Sequence, residues 1–175
     1  RPRLWPYSRP GGPAIPIAER CAVVVGCEGY AALPAVARAV ADADKVAAAL
    51  ERANYAVTAM TDAGQPEPEL LRPTRDNLRR QLSAALPSRA LGPDDTLLFY
   101  FAGHGLRLGD GFDYLAPLDA PETPAAADLV SVAWLIDRLA QTGAGGVVLA
   151  TDVCRQVGRG QCVDITLLGR SIGFV

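Results

Sequence analysis

One histidine and one cysteine, fifty residues apart, carry the clearest chemical signal in this chain. His104 is the sole histidine. It follows Thr96-Leu97-Leu98-Phe99-Tyr100-Phe101, an apolar run rich in β-formers and patterned like a strand buried on both faces. Ala102-Gly103-His104-Gly105 is predicted as a turn that holds the imidazole where the strand gives out. Cys154 ends a second apolar run that begins at Gly146, with Asp152 two residues before it. A thiol is a strong nucleophile as its thiolate, and a nearby imidazole can take the proton. The imidazolium can then protonate a leaving amine. Attack on a carbonyl creates an oxyanion that needs preorganised N–H donors. Gly105, whose backbone can be approached closely, and the amide of Cys154 are the candidates. These parts suit acyl transfer through a thioester.

The spacing of Asp152 and Cys154 puts both side chains on one face of a strand. Three roles fit the acid: selecting a basic substrate side chain, orienting His104, or lying solvated at a strand end. Charge pairing in a partly desolvated pocket favours the first. Taken singly, each candidate has a plainer reading. A histidine after a strand is often a hydrogen-bonded turn residue, and a cysteine ending a strand is usually inert core. Chemistry requires elements that bring the two strand ends together.

The chain supplies such elements. Residues 1–19 hold Pro2, Pro6, Pro10, Pro13 and Pro16 among Arg and Gly, the composition of an extended arm or linker. Residues 20–175 form the single domain that this length allows. Cys21–Gly26 reads as a first buried strand, followed by a loop ending near Pro34. Val36, Val40, Ala43, Ala47 and Leu50 line one face of a helix over 35–53, with Asn54 as its stop. Tyr55–Met60 reads as a second strand. Thr74 caps a second helix whose buried face carries Leu78, Leu82 and Leu86. Beyond His104 comes a glycine-rich loop, and Tyr114–Asp119 is a short strand or hairpin arm. Ser131 caps a third helix through Ala140. After Cys154 the pattern is polar and glycine-spotted until Ile172–Val175, which looks like a strand cut off as it starts. This alternation predicts an α/β fold with right-handed crossovers and helices on both faces of the sheet. In such sheets function collects outside the carboxyl ends of the strands, where His104 and Cys154 both fall.

Composition narrows the function. Of 175 residues half are hydrophobic, and the net charge of −2 offers no attraction to nucleic acid or to an anionic membrane surface. No apolar run reaches the ~18 residues of a membrane span. The proline-rich start is unlike a signal peptide, and the chain does not begin with Met, so it reads as a processed product or part of something longer. A cytoplasmic setting is expected, with Cys21 and Cys27 as small core residues rather than disulfide partners. The cysteine spacings match no zinc site, and one histidine cannot complete a two-Cys, two-His set. No cofactor is expected. Asp110, Asp113 and Asp119 could gather calcium, but their spacing fits no compact calcium loop, and solvated loop acids are the simpler account. Nucleotide binding is weak, since Val25-Gly26-Cys27-Glu28-Gly29 lacks the dinucleotide fingerprint and no P-loop occurs.

From about Cys21 to Arg155 the chain resembles the caspase-like cysteine peptidases of clan CD, particularly prokaryotic caspase homologues and metacaspases. The resemblance rests on Cys21–Tyr30 with its Gly-x-x-x-Tyr loop, on Asp42-Ala43-Asp44 with Ala47–Leu50, on Leu98–Gly105 and on Thr151-Asp152-Val153-Cys154-Arg155. It implies a three-layer sandwich around a mainly parallel central sheet. It also implies His104 as catalytic base, Cys154 as nucleophile, and Asp152 in the pocket for the residue before the cut. Metacaspases carry an acid there that favours Arg or Lys. True caspases have a Gln and cut after Asp. In some metacaspases acids of this region bind calcium.

Two departures stand out. Arg155-Gln156-Val157-Gly158 lacks the Gly or Ser-Gly usual after the Cys-Arg pair, and the family's two further strands after the nucleophile are missing, since the chain stops where the fifth should begin. It reads as the large portion of such an enzyme, with Arg159 and Arg170 as places for self-cleavage. The expected function is a cysteine endopeptidase cutting protein substrates after Arg or Lys. It would be made as a zymogen and serve as a regulated bacterial signalling or defence effector, since the alanine-rich, lysine-poor composition suits a GC-rich genome. The competing reading is a caspase-fold interaction module or pseudoenzyme under a partner's control. A regulatory partner or fused sensor would engage the proline-rich arm or an open sheet edge.

Overall fold

A computed structural model describes residues 18–63, 69–155 and 161–169, with side chains described for 18–63 and 69–153. The arm over 1–17, Arg159, Arg170 and the stretch Ile172–Val175 lie outside the described residues.

The first strand, β1 (Arg20–Gly26), is apolar on both faces, and from Cys21 to Gly26 every residue is buried. It crosses through helix α1 (Ala39–Arg52) to β2 (Ala56–Thr61), its parallel neighbour. Helix α2 (Arg75–Arg80) starts where the Thr74 hydroxyl accepts from the Asn77 amide at 3.4 Å. It continues as a wider π-turn over Gln81–Ala85, so that Leu78, Leu82 and Leu86 all reach the core. Strand β3 (Thr96–Arg107) follows, and then the short β4 (Asp113–Leu115) and β5 (Val130–Ser131). Helix α3 (Val132–Ala140) is capped by Ser131 and leads to β6 (Gly146–Arg155). Strand β7 (Gln161–Gly169) closes the chain's sheet.

Strands β2, β1, β3 and β6 run parallel, side by side. β1 pairs with the first seven residues of β3, Thr96–Ala102, while β6 covers its other edge from Thr96 to Gly105. A strand has only two edges, so β4, which pairs with Gly105–Arg107, must continue the sheet on the β1 side beyond the point where β1 ends. Two apolar clusters sandwich the sheet. On one face α1 lays Ala39, Ala43 and Ala47 over Ala22, Val24 and Tyr100. On the other, α2 and α3 bring Leu78, Leu82, Leu135 and Leu139 onto Val23, Phe99 and Phe101. This is the three-layer α/β arrangement with a mostly parallel sheet that the alternation of elements predicts.

Two local expectations need correcting. The run ending at His104 does not stop in a turn: β3 continues to Arg107 because β4 and β6 both hydrogen-bond its last residues, so His104 lies inside a strand. The polar stretch after Cys154 also contains a strand, β7, which folds back antiparallel on β6 along its whole length. Its alternating Val163, Ile165 and Leu167 suit a sheet edge, a pattern that the flanking polar residues obscure.

Candidate functional site

His104 and Cys154 are register partners across the parallel β3–β6 pair. Neighbouring strands lie ~4.8 Å apart, so their backbones are adjacent. Ala102 pairs with Asp152 two residues earlier on the same two strands. The fifty-residue gap in sequence is thus closed by a single α3 crossover.

The imidazole of His104 is 5% exposed and is held from three directions. Its Nε2 lies 2.7 Å from the Pro34 carbonyl oxygen. A carbonyl can only accept, so Nε2 carries the proton and Nδ1 carries the lone pair. Nδ1 is buried and has no hydrogen-bond partner among the described side chains. The Tyr30 ring packs tilted against the imidazole with centroids 4.9 Å apart. The Tyr30 hydroxyl accepts from the His104 backbone N–H at 3.1 Å and donates to the Ala116 carbonyl at 3.0 Å. Burial, above all, pushes the Tyr30 phenol far above its ordinary range, so this oxygen remains a donor at neutral pH.

The glycines on either side of His104 make these contacts possible. A Cβ on Gly103 would come within 2.6 Å of the Tyr30 hydroxyl, and one on Gly105 within 2.9 Å of the Val153 Cβ. Gly105 is flanked by Arg155 on β6 and Leu115 on β4, and Cys154 by His104 and by Gln161 on β7. The two candidate oxyanion donors therefore belong to backbone with a strand on each side.

Asp152 is half-buried on β6. The Tyr100 phenol is pushed up to about 12, first by burial and then by the negative charges of Asp152 and Asp42. The Asp152 carboxylate therefore makes itself felt on the α1 face of the sheet, beside Tyr100. Cys27, another cysteine near this end of the sheet, is fully buried, and burial raises its thiol far above the ordinary range. It is packing, not a rival nucleophile.

The three acids considered for calcium do not converge. Asp110 accepts from the Tyr114 hydroxyl at 2.6 Å and the Phe112 amide at 2.9 Å. Asp113 pairs with Arg107 at 3.1 Å, and Asp119 accepts from the Arg75 amide at 2.8 Å. Among the described residues no three metal-ligating side chains gather in one place. These acids do not fit a calcium ion as arranged.

Sequence reasoning missed the groups that hold the imidazole. The acceptor from Pro34 is a backbone oxygen, which has no signature in the sequence. Tyr30 was noticeable only as the aromatic in Gly-x-x-x-Tyr, with no pointer to its contact 74 residues away.

A family model described as the caspase domain matches residues 19–169. No curated protein matches the sequence significantly. Among solved structures, protein GSU0716 from Geobacter sulfurreducens is similar, with a TM-score of 0.55 at 19% identity, covering 79% of this chain and 51% of that one. The chain spans about half the length of that relative, and likeness at this identity is one of fold.

Proposed function

The chain belongs to the caspase-domain family, peptidase family C14, and from that premise we propose that it is a cysteine endopeptidase working through Cys154 and His104. One observation carries the reading. Nε2 of His104 is committed to the Pro34 carbonyl, which leaves the lone pair on a buried Nδ1 without a partner among the described side chains, on the residue paired in register with Cys154.

In this reading Nδ1 takes the Cys154 proton, and the thiolate attacks the carbonyl carbon of the scissile peptide. The resulting oxyanion is received by the amides of Gly105 and Cys154. The tetrahedral intermediate collapses, the C–N bond breaks, and the imidazolium gives its proton to the leaving amine. Water, deprotonated by His104, then hydrolyses the thioester and regenerates the thiol. The Pro34 carbonyl stabilises the imidazolium and keeps its ring from turning. Asp152 selects Arg or Lys before the cut, supported by its half-buried position on β6, where its charge is felt by Tyr100.

A regulated, zymogen-like enzyme fits the arrangement. His104 is 5% exposed, and β7 pairs with β6 up to Cys154, so backbone amides must be released before a peptide can bind. The bacterial, cytoplasmic effector role rests on composition alone.

The test is hydrolysis of paired fluorogenic peptides that differ only in Arg, Lys or Asp at the cleaved position, using the full-length protein with Cys154→Ala as control. Cleavage after Arg or Lys that disappears in the variant is the expected result. Cleavage after Asp keeps the peptidase and removes the role of Asp152. No cleavage with any peptide, after addition of candidate partners, favours a caspase-fold interaction module instead.

A further inference from the structure

The two groups that hold His104, the Pro34 carbonyl and the Tyr30 hydroxyl, ride on one loop, residues 27–38 between β1 and α1. Most side chains from 31 to 38 are exposed, and only Leu33 and Val36 of that stretch pack on the core. Burial therefore anchors Cys27 and Tyr30 but does little to fix residues 31–38, whose geometry depends on how the loop's root is tied down. The root is bound by Asp62, the first residue after β2. One carboxylate oxygen accepts from the Glu28 amide at 2.9 Å and the other from the Gly29 amide at 2.6 Å. Two consecutive N–H groups on one carboxylate make a bidentate, charge-assisted clamp. Glu28 then closes the loop on itself. Its carbonyl accepts from the Val36 amide at 3.0 Å, and its carboxylate accepts from the Val40 amide in the first turn of α1 at 3.2 Å.

We propose that Asp62 is a positioning residue for His104, acting through the 27–38 loop to set where the Pro34 carbonyl meets Nε2. The inference rests on the peptidase reading for its effect on turnover, but not for its effect on the imidazole. The clamp needs two acceptors. Asn at this position offers one oxygen and turns an NH₂ against the second amide, and Ala offers none. The freed amides lie near the surface, where water can satisfy them. Loss of the clamp therefore costs position more than stability.

That difference makes the role testable. His104 is the only histidine of these 175 residues, so its side-chain Nε2–H gives an unambiguous signal in a proton–nitrogen NMR spectrum of the histidine-labelled chain. In the wild type this proton, bound to the Pro34 oxygen, exchanges slowly and is visible. In Asp62→Ala it is lost to exchange while the backbone spectrum outside the loop stays native, and in Asp62→Asn it is broadened. Turnover of the preferred peptide falls about 10²-fold in Asp62→Ala, as expected for a small misplacement of a reacting group, with KM little changed. If Asp62→Ala does not fold, the Asn variant decides by the same signal. A protected Nε2–H in a folded variant overturns the proposal, as does unchanged turnover once the signal is lost. A wild type that cleaves no peptide overturns the peptidase reading instead, and the imidazole signal alone then decides the role of Asp62.

Discussion

Replacing Tyr30 with Phe removes a single oxygen and keeps the ring that packs on the imidazole at 4.9 Å. That oxygen bridges two backbone groups, accepting from the His104 N–H at 3.1 Å and donating to the Ala116 carbonyl at 3.0 Å. The three residues are 8%, 5% and 0% exposed, so water cannot easily replace it. A buried N–H left without an acceptor costs about 1–3 kcal/mol. The Ala116 carbonyl retains a second lone pair and loses less, on the order of 1 kcal/mol. The variant should therefore lose about 2–4 kcal/mol, a large part of the roughly 5–15 kcal/mol that holds a domain of this size. Equilibrium unfolding in urea, followed by tryptophan fluorescence, reads this directly. With a slope of roughly 2 kcal/mol per molar the midpoint falls by about 1–2 M at unchanged slope. Turnover should fall as well, because the His104 backbone loses the bond that seats it. A midpoint shift under about 0.3 M with full turnover would refute the reasoning, since it would mean that the oxygen bears no load on His104.

Two further predictions follow from the same end of the sheet. Gly105→Ala sets a Cβ 2.9 Å from the Val153 Cβ and forces β3 and β6 apart at the His104–Cys154 pair. It should cost about 1–3 kcal/mol in a thermal melt and most of the peptide hydrolysis, with part of the stability recovered when Val153→Ala is added. Alkaline pH should unfold the protein through its buried tyrosines. Tyr100 is raised to about 12 and Tyr30 further, so the native state keeps protons that unfolded tyrosines release near pH ~10. Their contribution is complete below that pH and is lost as pH rises through the folded values. Urea midpoints should therefore fall from about pH 10 upward. Tyrosinate absorbance should show Tyr100 ionising earlier in Asp152→Asn, where one of the raising charges is gone.

Apolar patterning made the larger elements legible. Continuous hydrophobic runs at Cys21–Gly26 and Thr96–Phe101 can be buried only between two helical layers, and the four-residue spacing of Leu78, Leu82 and Leu86 marks a helix face. The Ser131 and Thr74 caps follow from local hydrogen bonding and were equally visible. Where strands end is less local. His104 looked like a turn residue because glycines surround it, yet β4 and β6 supply ladder partners on both sides and carry β3 on to Arg107. Sequence cannot show a partner strand that arrives from ten or fifty residues away.

Residue types by themselves determined the chemical candidates: one histidine, a cysteine ending an apolar strand and an acid two residues before it. A parallel sheet with an intervening crossover required the two strand ends to lie near each other. Tertiary structure alone decided which nitrogen of His104 carries the lone pair. That choice depends on a carbonyl at Pro34, on a loop whose side chains are mostly exposed, and on a carboxylate at Asp62 that ties the loop's root. Backbone oxygens and amides are the same in every residue, so they leave no trace in the order of side chains. Only the folded chain gives each of them a particular partner.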